Sequence, residues 1–202
     1  MNDLNAEAWE QRYQESRDRW NLGSPAPPFV NLLASTNAPQ PGKIAVLGCG
    51  KGHDALLFAE AGFEVMGFDF APSAISEAKA IAKARKIEAR FLQRDIFALP
   101  QEFSESFDYA IEHTCFCAIE PELRSQYVEV VKSILRPNGK LIGLFYTHNR
   151  PGGPPFGVKP QEVLDYFAPD FEPVIFQVAK DSIARRKGDE HLAIFQLTAV
   201  FN

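Results

Sequence analysis

The chain has 202 residues, of which 46% are hydrophobic and 12% aromatic. That is enough apolar surface for one ample globular core and leaves no room for a second large domain. A net charge of −5 supplies no electrostatic footprint for nucleic acid or an anionic membrane, so the expected partner is a small molecule.

The cysteines, Cys49, Cys115 and Cys117, are odd in number and lack a framework spacing, which argues against disulfide stapling and for a reduced compartment. The start, Met1-Asn2-Asp3-Leu4, is polar and acidic, and no run approaches the length of a membrane span. The expectation is a cytoplasmic protein with no membrane partner. Nothing in the sequence fixes an oligomeric state.

In chain order, residues 6 to 20 read as a helix carrying Trp9, Tyr13 and Trp20, followed by a turn-rich stretch from Gly23 to Pro28 and a short helix containing Leu32 and Leu33. Strand one is expected at 43 to 47 and its helix at 54 to 61, with Asp54 as a cap. Strand two covers 64 to 69, and Pro72 suits the first turn of the next helix, whose apolar face is Ile75, Ala78 and Ala82. Strand three lies near 89 to 93, and strand four runs from Phe107 to Ile111 and ends at Glu112. Leu123, Tyr127, Val130, Val131, Ile134 and Leu135 form a helical stripe that Arg136-Pro137-Asn138-Gly139 stops. Strand five is Lys140 to Tyr146. A loop dense in proline and glycine leads to a short helix around 160 to 167, and the last apolar runs, near 172 to 179 and 192 to 201, read as an antiparallel pair.

This alternation predicts an α/β fold, a doubly wound, mostly parallel sheet with an antiparallel C-terminal strand. Ligands in such sheets bind beyond the carboxyl ends of the strands. The first of those ends is Gly48-Cys49-Gly50-Lys51-Gly52, a GxGxG string, where a dinucleotide fold would want its third glycine at His53. Glycines let the main chain turn and approach a ligand, and Asp69, ending strand two, can accept both hydroxyls of a ribose. S-adenosylmethionine (SAM) fits this spacing better than a dinucleotide. Cys115 and Cys117 and four scattered histidines do not make a metal site.

The order of GxGxG loop, Asp69 and Asp95-Ile96 resembles class I SAM-dependent methyltransferases. Within them, the chain is similar to the thiopurine, thiol and halide methyltransferase family, and most to its thiol, thiocyanate and halide branch. The residues carrying this are Phe116-Cys117-Ala118-Ile119-Glu120-Pro121-Glu122-Leu123-Arg124, Gly152-Gly153-Pro154-Pro155-Phe156, the aromatic N-terminal segment with Gly23 and Pro25, and Arg186-Lys187-Gly188.

The resemblance implies one methyltransferase domain over residues 1–202, with 1–40 as a helical lid. It implies that Trp9, Tyr13 and Trp20 close over SAM, with Tyr13 standing where a tryptophan is usual. A sulfonium donates no hydrogen bond, so aromatic faces and carboxylates suit it; packing of a helix onto the sheet is the alternative for the same rings. Gly48 would face the methionine portion, with Gly50 also binding the cofactor, Asp69 the ribose, and Asp95 with Ile96 the adenine, although Asp95 also suits a helix cap. Glu112 and His113 would line the same pocket, His113 in place of a tyrosine. No base is assigned to His113.

The implied reaction is attack on the SAM methyl by a thiol, hydrosulfide, thiocyanate or halide. Tyr146 is the candidate catalytic contact to the acceptor, with Phe116, Cys117 and the loop to Phe156 as wall and lid. The stretch Tyr146 to Pro151 is one residue shorter than the branch pattern, with Asn149 near the place of its aspartate. Arg185, Arg186 and Lys187 read either as an attractor for anions or as a solvated turn. Other readings are a thiopurine- or tellurite-type methyltransferase, a SAM-binding regulator, and an NAD-dependent oxidoreductase, which the glycine loop alone permits.

Overall fold

In the computed structural model, which describes residues 4–198, the chain divides between Ile96 and Phe97 into two compact units. The first unit holds helices α1 (Ala6–Gln14), α2 (Pro27–Leu33), α3 (His53–Glu60) and α4 (Pro72–Arg85) with strands β1 (Lys43–Leu47), β2 (Glu64–Asp69) and β3 (Arg90–Gln93). The strands are parallel in the order β3-β2-β1, with Lys43 opposite Glu64 and Met66 opposite Arg90. Ile44 to Leu47 are all buried, the near-continuous apolar run of a parallel strand covered on both faces. On β2, a Cβ at Gly67 would lie 2.8 Å from the Phe91 ring and 2.9 Å from Cys49 Sγ, so only glycine lets those side chains close over the strand. The buried face of α4 is Ala74, Ile75, Ala78 and Ala82.

The second unit holds α5 (Leu99–Phe103), α6 (Arg124–Ile134) and α7 (Pro160–Phe167) with β4 (Phe107–His113), β5 (Leu135–Tyr146), β6 (Phe171–Val178) and β7 (Glu190–Leu197). β4 and β5 are parallel, and β7 is antiparallel to both β5 and β6. α6 buries Tyr127, Val130, Val131 and Ile134, four members of the stripe read from the sequence. Phe116, Phe145, Phe167 and Phe195 pack as a cluster with ring centroids 5.1 to 6.0 Å apart.

Three expectations are corrected. The first helix ends at Gln14 instead of near residue 20: Ser16 has a positive φ of 54°, and the Asn21 side chain bonds Asp18 and the Gly23 amide. Such short polar side chains offer the backbone an alternative to the helix. Asp54 is not a cap, because Gly52 holds that position and the carboxylate instead accepts from the Ala26 amide at 2.7 Å. β5 begins at Leu135 rather than Lys140, with an irregular register against β4 at Phe107 and Tyr109. The sequence reading also lacked the turn Ile96–Ala98 and the five-residue α5, which are too short to show periodicity. Residues 199–201 of the last expected strand lie outside the described residues.

Candidate functional site

In the first unit, the loop after β1 is left-handed at Gly48, Gly50 and Gly52, with φ of 59°, 52° and 80°. A side chain there is strained. A Cβ at Gly50 would also stand 3.1 Å from Tyr13 Oη, so the tyrosine hydroxyl roofs the glycine loop. Asp69 closes the loop from the other strand: Oδ2 accepts from Gly50 N at 2.8 Å and Oδ1 from Ala71 N at 2.9 Å. Desolvation raises the Asp69 pKa, and the Ala71, Gly50 and Phe70 amides only partly offset that. A carboxylate has about four acceptor positions, so both oxygens retain capacity for a diol.

The aromatic segment builds one cluster over that loop. Trp20 meets Trp9 edge-on at 5.2 Å and Tyr13 at 5.5 Å, and its indole N–H donates to Tyr13 Oη at 3.3 Å. The segment is tied down at two points. Glu10 accepts from the Ser73 amide at 3.0 Å and from its hydroxyl, satisfying first-turn donors of α4. Lys51 reaches Asp18 and Glu77, each at 3.1 Å. Asp95 is exposed and Ile96 buried, directly after β3.

In the second unit, Glu112 is fully buried at the end of β4. Its carboxylate accepts from Cys115 N and Phe116 N at 3.0 Å and from Tyr127 Oη at 2.6 Å, so it holds the turn after β4, in which Thr114 is left-handed with φ 59°. Burial pushes the Cys117 thiol up to about 12, keeping it protonated. Cys117 O accepts from Phe156 N at 2.7 Å, and Arg124 donates to Phe156 O and Gly157 O. The proline-glycine loop is thereby pinned to the turn after β4.

Around Tyr146 lies a charged cluster that sequence reasoning reached only in part. Arg186 is 6% exposed, donates to Glu190 at 2.9 Å, and stands 5.6 Å from the Tyr146 ring. Its Nη1 is 2.9 Å from His113 Nε2; a guanidinium only donates, so that imidazole nitrogen carries the lone pair. Of the basic run, Arg186 is the buried member, while Arg185 and Lys187 are exposed. Arg150 donates to Tyr146 Oη and, at 3.0 Å, to Asp189. Glu190, His148 and Arg150 had no sequence signal of their own. The β5–β7 pairing brings Glu190 opposite Tyr146, whereas His148 and Arg150 follow Tyr146 directly in the chain.

Residues 4–199 match the family described as thiopurine S-methyltransferase. The chain belongs to that family. It is 34% identical to thiocyanate methyltransferase 1 of Brassica oleracea, over 91% of this chain and 82% of that protein. It is 29% identical to probable thiol methyltransferase 2 of Arabidopsis thaliana, over 100% of this chain and 90% of the relative. A crystal structure of Burkholderia thailandensis 1,6-didemethyltoxoflavin-N1-methyltransferase with bound S-adenosylhomocysteine covers 96% of this chain and 87% of its own, at 21% identity and a TM-score of 0.76.

The family member described here is a SAM-dependent methyltransferase of the class I α/β fold, as its sequence led one to expect. Its residues fit the cofactor. The roofed glycine loop, a strand-end carboxylate with spare acceptor capacity, and three clustered aromatic rings are the groups that a ribose and a sulfonium require. Among the described residues no helix is long and apolar enough to cross a membrane.

Proposed function

We propose that this methyltransferase transfers the methyl group of SAM to a small soft nucleophile: a thiol, hydrosulfide, thiocyanate or halide. The observation that carries the reading is the 34% identity, over 91% of the chain, to a thiocyanate methyltransferase. The second unit's chemistry supports it. Phe116 and Cys117 are apolar and buried, the Cys117 thiol is held protonated, and Arg186 is fixed beside Tyr146 by Glu190. A soft anion that arrives ionised needs no general base, only alignment and partial loss of its water shell.

When bound, SAM supplies an electrophilic methyl on a sulfonium. In this reading Gly48 and Gly50 let the backbone approach its methionine portion, Asp69 takes the ribose hydroxyls, and Asp95 with Ile96 borders the adenine. Trp9, Tyr13 and Trp20 cover the cation, so that residues 1–40 act as a lid on a single domain spanning 1–202. Glu112 works through the turn it clamps, His113 through Arg186, and Tyr146 touches the acceptor. Three free cysteines suit a reducing cytoplasm.

Purified protein supplied with SAM and, in turn, hydrosulfide, thiocyanate, iodide and an aromatic thiol should release the methylated product and S-adenosylhomocysteine. Absence of product with all four overturns the acceptor class.

A further inference from the structure

Tyr146, His148 and Arg150 occupy alternate positions where β5 runs out into the proline-glycine loop. The His148 ring meets Tyr146 edge-on at 4.9 Å. Its Nδ1 accepts from the Arg150 amide at 3.2 Å, so a neutral ring carries its proton on Nε2. Burial and then the Arg150 charge hold the ring neutral. His148 is 9% exposed, and Nε2 is buried without a hydrogen-bond partner. A buried donor left unmade weakens the fold and demands a reason; an arriving acceptor atom removes the cost.

Arg150 differs from the other cation on the same ring. Arg186 is buried and locked to Glu190, whereas the Arg150 side chain is 54% exposed and shares an ion pair with Asp189, itself 34% exposed. Pairs of that kind hold weakly in water and exchange partners readily. The Arg150 guanidinium carbon lies 5.4 Å from the Tyr146 ring centroid, and the group also donates to the Tyr146 hydroxyl.

We infer that Tyr146, His148 and Arg150 form the receiving subsite for an anionic acceptor, with Arg150 exchanging Asp189 for the incoming anion and His148 Nε2–H donating to it. The inference rests on the methyl-transfer reading above. It favours acceptors that carry a directional lone pair away from the nucleophilic atom, such as thiocyanate or a thiolate with a ring nitrogen or carboxylate, over a spherical halide.

Initial rates with thiocyanate and with iodide at saturating SAM test it, alongside calorimetric affinity for S-adenosylhomocysteine. Arg150→Gln should raise KM for both anions about tenfold, the size of one charge-assisted contact, mainly through KM. Asp189→Asn, which frees Arg150, should lower KM. His148→Phe should raise KM for thiocyanate more than for iodide, and His148→Gln, which keeps a donor, should recover it. If Arg150→Gln and Asp189→Asn raise KM together, the pair is a staple for the loop and the subsite is wrong; an unmoved KM in Arg150→Gln sinks it equally. A wild-type protein that binds S-adenosylhomocysteine but methylates no anion overturns the methyl-transfer reading, and this inference with it.

Discussion

Gly50 shows how one hydrogen atom shapes a site. Its φ of 52° is left-handed, and a Cβ would meet Tyr13 Oη at 3.1 Å. Gly50→Ala should therefore cost about 1–2 kcal/mol in backbone conformation and also push the tyrosine off the loop, lowering affinity for S-adenosylhomocysteine in calorimetry. The aromatic cluster predicts an order of effects. Trp20→Ala removes two edge contacts of about 0.5–1.5 kcal/mol each, whereas Tyr13→Phe keeps its ring and removes only the hydroxyl that accepts the indole N–H and stands over Gly50. Cofactor affinity should fall more in the first variant than in the second, and equal, negligible losses would mean that the cluster does not touch the cofactor. The sequence named these three rings but could not tell a lid from core packing, since both require aromatic side chains. The fold shows the Tyr13 hydroxyl beside Gly50, with Trp20 packed on Tyr13 and Trp9 on Trp20.

At the scale of elements, the turn after β4 and the start of β7 are each organised by a buried carboxylate. Glu190 is desolvated, which raises its pKa, but hydrogen bonds from Ser182 and Arg186, and the Arg186 charge, outweigh that and leave it below the usual range. A depressed carboxyl pKa contributes stability above its unfolded value, about 4.3, and loses it as pH falls through the folded value. Thermal melts should fall in that acid window, and Glu190→Gln should remove this part of the slope. The same substitution leaves Arg186 buried without its counter-ion, a loss of about 3–5 kcal/mol at neutral pH. Glu112 was legible as a strand-end acid, yet its three donors come from the turn and from α6. Only the fold shows that it holds backbone.

For the whole molecule, the test is ligand-linked stability. S-adenosylhomocysteine at a hundred times its Kd should stabilise the protein by about 2.7 kcal/mol, raising the melting temperature by roughly 5–10 °C for a chain of this length. NAD at comparable concentration should leave it unchanged. A shift with NAD and none with S-adenosylhomocysteine would return the glycine loop to the dinucleotide readings that His53 argues against.

The alternation of apolar runs, the GxGxG spacing and Asp69 determined the α/β plan and the kind of cofactor, because each is a local rule: strand period, glycine φ, and a carboxylate ending a strand. The FCAIEPELR and GGPPF strings added the family. The grouping of Arg186, Glu190 and His113 around Tyr146 was decided only by tertiary structure. β7 runs antiparallel to β5 in the register that sets Glu190 beside Tyr146, and no periodicity in the sequence encodes which residues two distant strands bring face to face.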